Sequence, residues 1–139
     1  MNLEPLGTLT MVMKKPLVLP ASPAGSRVIV EFTSVVFEGE RLKATQVGPA
    51  GDWLHVGPEG TASLDFRFSV QTHDGALIYV TGQGRTDAQR FASGEAPVWF
   101  APLFETGDAR YAWLNRVLGV ARGAASGDRV VFEVSVAGS

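Results

Sequence analysis

Twelve residues from Thr61 to Thr72 alternate apolar and polar without a break, and no other stretch limits the fold as tightly. Ala62, Leu64, Phe66, Phe68 and Val70 share one parity; Ser63, Asp65, Arg67, Ser69 and Gln71 share the other. A period of two puts these sets on opposite faces of a β-strand. His73-Asp74-Gly75 follows, an Asp-Gly turn into a second strand over Ala76 to Gly84.

The rest of the chain repeats this rhythm. Sixteen glycines and eight prolines cut it into short runs rich in Val, Ile, Phe and Thr. Strands are predicted over Leu6–Met13, Arg27–Phe37, Arg41–Val47, Trp53–Val56, Val98–Thr106, Leu114–Arg122 and Asp128–Val136. Pro16 to Gly25, with three prolines, reads as a long connection, and Gly48-Pro49-Ala50-Gly51 reads as a break. One helix is predicted over Thr86–Gly94, with a threonine cap and a glycine stop. Many strands with almost no helix between them favour an all-β domain over residues 1–139. The expected form is one antiparallel barrel of about eight to ten strands, lipocalin- or calycin-like, because closure removes exposed edges. A two-sheet sandwich is the alternative.

The charge balance narrows the partners. The formal net charge is −2, and Lys14-Lys15 is the one adjacent basic pair. Such a chain lacks the basic footprint of a nucleic-acid binder or of a polybasic membrane anchor. It has no cysteine, so thiolate metal sites, disulfides and cysteine nucleophiles are excluded. Met1 to Pro5 does not resemble a signal peptide, and the expected location is cytoplasmic. His55 and His73 stand eighteen positions apart and form no metal-binding pattern; no metal is expected. No G-x-S-x-G elbow of a serine hydrolase occurs, and no strand–GxGxxG–helix unit occurs, so no nucleotide cofactor is expected either.

Acid–base chemistry without a cofactor remains. The polar face of Thr61–Thr72 either meets solvent or lines a pocket. The pairing of Asp65 with Arg67 on that face favours the pocket. Candidate catalytic residues are Asp65, Arg67, Tyr111, Asn115 and Asp52, although Asp52 after Gly51 also suits a turn. Trp53, Tyr79, Trp99, Glu105 and Trp113 are candidate substrate-binding residues. For Tyr111 and Trp113, core packing is the competing role, and for Glu105 an exposed strand end.

Four stretches carry a family resemblance: NLEPLGTLT near the start, FEGERLKA at Phe37–Ala44, GDW at Gly51–Trp53, and LDFRFSVQTHDGALIYVTGQG at Leu64–Gly84. With FETGDARYAWLN at Phe104–Asn115, they make the chain resemble the family catalogued as domain of unknown function 3237 nearly end to end. The resemblance implies a compact β-barrel, usually oligomeric, without a recognised cofactor. It also implies a setting in secondary or aromatic metabolism, with cofactor-free isomerisation or cyclisation among relatives. The matching positions are Asp52, Trp53, Asp65, Arg67, Tyr111, Trp113 and Asn115. The segment between Gly84 and Phe104 departs from the family pattern, with GEAPVWFAPL before the FET string.

Two functions are therefore expected. One is a cofactor-independent isomerase, cyclase or lyase for an aromatic or polyketide-like hydrophobic molecule. In it Asp65 or Asp52 moves the proton while Arg67, Tyr111 and Asn115 hold the developing oxyanion. The other is a barrel that binds such a molecule without converting it. A homo-oligomer is expected in either case.

Overall fold

The Asp-Gly turn forms as the sequence predicts. Gly75 takes φ +94°, in the left-handed region that glycine adopts without penalty. It joins β5 (Thr61–Thr72) to β6 (Leu77–Asp87), which pair without a register shift from Thr61↔Asp87 to Gln71↔Leu77. The computed structural model describes residues 1–138. The other strands are β1 (Glu4–Met13), β2 (Leu17–Ser22), β3 (Gly25–Glu38), β4 (Lys43–Val56), β7 (Val98–Glu105), β8 (Leu118–Ser126) and β9 (Arg129–Ala137). They pair in the order β1-β9-β8-β7-β6-β5-β4-β3-β2, and a β1–β3 ladder closes the ring. The chain is thus an all-β closed antiparallel barrel of eight strands, with β2 attached outside it.

The apolar parity of β5 faces inward. Ala62, Leu64, Phe66, Phe68 and Val70 are buried, alongside Phe32, Phe100 and Phe132 from β3, β7 and β9. Phe66 lies 4.6 Å from Phe100 and 5.9 Å from Phe32 between ring centroids, and Phe100 meets Phe132 edge-on at 4.8 Å. Glycines make room for these rings. A Cβ on Gly82 would come within 2.5 Å of Phe100, and one on Gly123 within 2.6 Å of Phe132. The placement of Asp65 and Arg67 in the barrel interior is therefore corrected. They lie on the outer face, paired to each other at 3.3 Å, because burying five apolar side chains outweighs sheltering one ion pair.

Four predicted boundaries shift. Pro16 to Gly25 contains β2, which tolerates Pro20 because it lies at a free edge. The two strands predicted across Gly48-Pro49 are one, β4, with a register irregularity between Gln46 and Ala50 instead of a break. The helix is shorter than predicted: α1 spans Ala88–Ala92, its first turn capped by Asp87, whose carboxylate accepts from the Arg90 amide at 3.0 Å. Thr86 belongs to β6, and its hydroxyl donates to the Pro97 carbonyl at 2.9 Å. The strand expected from Leu114 starts at Leu118, because Ala109–Arg116 forms a 3-10 helix capped by Asp108.

Candidate functional site

The two ends of the barrel differ. At one end β5 begins beside β6 at the foot of α1, since Thr61 pairs with Asp87. At the other end the β5–β6 turn meets the 3-10 helix. There Tyr111 donates its hydroxyl to Asp74 at 2.9 Å, and Arg110 reaches the Asp74 carbonyl at 3.0 Å. Thr72 donates to the same carboxylate at 2.6 Å. Hydrogen bonds from Thr72 and Tyr111, with the Arg110 charge, hold Asp74 below the usual carboxylate range. Desolvation, with the Asp74 hydrogen bond, raises the Tyr111 phenol. Leu114 of the same 3-10 helix is fully buried in the core.

At the α1 end the interior is hollow. A cavity of 320 Å³ lies under α1, walled by Phe32, Leu54, Leu64, Phe66 and Phe132 and roofed by Ala88, Phe91 and Ala92. The polar side chains in its lining are those of Asp52 and Thr86, and the Thr86 hydroxyl is committed to Pro97. Asp52 is thus the one ionisable group facing this space among the described residues.

The local folding of β4 and β5 explains how a carboxylate comes to sit there. Asp52 pairs with Phe66 and so shares its inward parity. Pairing resumes at His55↔Ser63, and the rungs at Trp53 and Leu54 stay open. The Asp65 amide at this gap donates to Asp52 Oδ1 at 2.9 Å. The Trp53 carbonyl accepts from the Arg27 guanidinium at 2.8 Å. Both backbone groups thereby find partners. The second Asp52 oxygen is left to the cavity.

Asp52 is 4% exposed. Burial in apolar surroundings pushes its pKa up to about 7, against the opposing pull of the Asp65 amide; the nearby Asp65 carboxylate raises it further. A carboxyl that changes protonation near neutrality is suited to general acid–base catalysis.

Of the ten candidates, Asp52 alone lines the cavity. Tyr111 belongs to the clasp at the far end. Asn115 pins the FET segment, accepting from the Thr106 amide at 2.9 Å and donating to its carbonyl at 3.0 Å. Trp53, Tyr79, Trp99 and Glu105 face outward, and Trp113 stacks under Arg41 at 3.8 Å. Sequence reasoning missed the apolar lining. The inward parity of Val28, Val30 and Phe32, together with small Ala62, Ala88 and Ala92, was the signal available for it.

A family model described as "Protein of unknown function (DUF3237)" matches residues 1–137. Among curated proteins, the UPF0311 protein RPA1785 of Rhodopseudomonas palustris is 31% identical over 122 residues, covering 79% of each chain. The hydroalkoxylation enzyme phnH of Penicillium herquei is 29% identical over 117 residues, covering 84% of this chain and 70% of that one. The RPA1785 crystal structure superposes with a TM-score of 0.87 at 24% identity, covering 97% of this chain and 96% of that one. A β-barrel-like protein of Acinetobacter baumannii superposes with a TM-score of 0.84 at 29% identity, covering 97% and 94%.

Proposed function

Starting from a chain that belongs to the DUF3237 family, we propose a cofactor-independent isomerase or cyclase that works by proton transfer on a hydrophobic, aromatic or polyketide-like molecule. The observation that carries this reading is the lone Asp52 carboxyl in an otherwise apolar cavity, poised to gain or lose a proton near pH 7. The hydroalkoxylation enzyme among the relatives supports the same class of chemistry.

In such a reaction the Asp52 carboxyl gives its proton to one carbon of a polarised double bond. A hydroxyl oxygen of the same molecule forms a bond to the neighbouring carbon. The hydroxyl proton passes to the Asp52 carboxylate and restores the acid. The product is an isomer of the substrate, and the same steps in reverse are a ring-opening elimination, the lyase direction. The phenylalanine walls hold flat apolar substrates and exclude water, which keeps the carboxyl protonated. Among the described residues the lining offers no cation, so a carboxylate or phosphate on the substrate would face an uncompensated desolvation cost.

Incubation with a panel of neutral alkenyl phenols in deuterated water tests this reading. The expected result is a cyclic isomer carrying deuterium at carbon, formed by the wild type and not by Asp52→Asn. Conversion retained in Asp52→Asn overturns the assignment. Molecules that bind and return unchanged favour a carrier, a role that the apolar lining would also serve.

A further inference from the structure

The covers at the two ends of the barrel are fastened differently. At the clasp end the 3-10 helix buries Tyr111 and Leu114, and Tyr111 and Arg110 both bond to Asp74. Asn115 adds its bonds to Thr106. At the cavity end α1 buries none of its residues. Ala88 and Phe91 pack against the core while staying partly exposed, and the stretch from Ala92 to Glu95 is exposed.

The hydrogen bonds of the α1 cover turn back on themselves. The Arg90 carbonyl accepts from the Glu95 amide at 2.7 Å, the Ala96 amide at 3.1 Å and the Ser93 hydroxyl at 3.1 Å. The Ser93 and Gly94 amides donate to the Gln89 and Phe91 carbonyls. Among the described residues, no hydrogen bond or ion pair made from Gln89 to Ala96 reaches the barrel beyond Asp87. The ties to the wall lie at the base. The Ala88 amide donates to the Gly60 carbonyl at 3.0 Å, and the Thr86 hydroxyl draws the two legs together by donating to the Pro97 carbonyl at 2.9 Å. A segment with its own internal bonds, little burial and few anchors opens as a unit at low cost.

We propose that Ala88–Ala96 is a lid, hinged where Thr86 holds Pro97 and latched by the Ala88–Gly60 hydrogen bond, that opens to admit a neutral apolar molecule to the cavity. The competing role is a fixed plug. A plug would bury its apolar side chains in packed core, as the 3-10 helix buries Leu114. Phe91 instead roofs a space of 320 Å³ and remains half-exposed above it. Lifting it gives up fewer contacts than drawing out a ring packed on all sides. Opening admits water as well as a guest to Asp52, and closing removes that water again. The lid shares its cavity with the proposed function but rests on no chemical step. It stands or falls with access to the cavity wall, whatever Asp52 does there.

Thiol accessibility on the full chain tests it, because the protein has no cysteine of its own. Ala62→Cys puts a single thiol in the cavity wall, at a position 2% exposed. Ala88→Pro removes the latch donor. Proline suits that first helical position, since the preceding Asp87 is already extended at φ −79° and ψ 113°. With the lid intact, methyl methanethiosulfonate, a small neutral reagent, is expected to modify the introduced thiol slowly. Ala88→Pro should speed the reaction about fivefold, the usual worth of one hydrogen bond. Val70→Cys, buried in the core near the clasp, is the control for the fold and should gain nothing from Ala88→Pro. An Ala62→Cys rate indifferent to Ala88→Pro, equal acceleration at both sites, or no reaction short of global unfolding would each overturn the inference.

Discussion

The Asp65 amide donates to Asp52 Oδ1 at 2.9 Å across an open rung between β4 and β5. The bond fixes the inner carboxyl while the Asp65 side chain points the other way, toward Arg67 on the outer face. One residue therefore contributes its backbone to the cavity and its charge to the surface. This arrangement explains why the sequence pattern drew attention to Asp65 when the cavity belongs to Asp52.

If Asp52 is the proton donor, its replacement by asparagine should reduce turnover by about 10²–10⁴-fold, the usual contribution of a positioned acid or base. Steady-state rates on a converted alkenyl phenol check this. Binding of the same molecule, read by tryptophan fluorescence or calorimetry, should survive.

The rate should also follow a single ionisation. The acid form of Asp52 predominates below about pH 7, so turnover is expected to be level at low pH and to fall above that value. A pH–rate profile rising through the same range would instead identify the carboxylate as the active form.

Stability gives an independent readout of the same group. The folded-state pKa of about 7 lies above the ordinary 3.8, so between these values the folded protein binds more protons than the unfolded chain. Stability relative to Asp52→Asn must then fall as pH rises from about 4 to 7 and level off above. A rise of that size corresponds to about 4 kcal/mol as an order of magnitude. Urea unfolding of both proteins at several pH values measures it.

Asp74 should behave in the opposite sense. Its pKa is lowered, first by Thr72 and then by Tyr111 and Arg110, so its contribution is present above the ordinary carboxylate value and is lost as pH falls through the depressed one. Tyr111→Phe and Asp74→Asn should each lower the melting temperature at neutral pH, and the Asp74→Asn difference should shrink in acid. Neither should change the titration of Asp52, whose partner Phe66 lies six residues, about 20 Å of strand, from Thr72 of the clasp.

Filling the cavity separates binding from folding. Ala62 is buried in its wall, and Ala62→Leu puts added carbon where a guest would sit. The expected outcome is a folded barrel whose affinity for apolar ligands drops by about tenfold or more, since steric overlap of this kind costs about 1–3 kcal/mol. Titration calorimetry with the same ligand panel checks it.

The barrel itself was legible because alternation and turn chemistry are local signals, clearest at Thr61–Thr72 and Asp74-Gly75. Which face points inward is not local. The alternation of β5 is equally compatible with either assignment until the other seven strands of the ring supply a common interior. Asp52 was obscured for a related reason. Gly48-Pro49-Ala50-Gly51 carries every mark of a turn, yet long-range pairing on both sides runs the strand through it and turns Asp52 inward. Tyr111 and Asn115, offered as oxyanion donors, instead spend their hydrogen bonds on Asp74 and Thr106, partners that lie far off in the sequence or across a turn.

The difference between the barrel's two ends has a kinetic consequence. Buried Leu114 and the Tyr111–Asp74 clasp lie at one end, while the cavity that holds Asp52 lies at the other, against α1. If this cavity takes a guest, the same side must serve for entry and exit, and substitutions at Phe91, which lines it from α1, should change the rate of exchange before they change affinity.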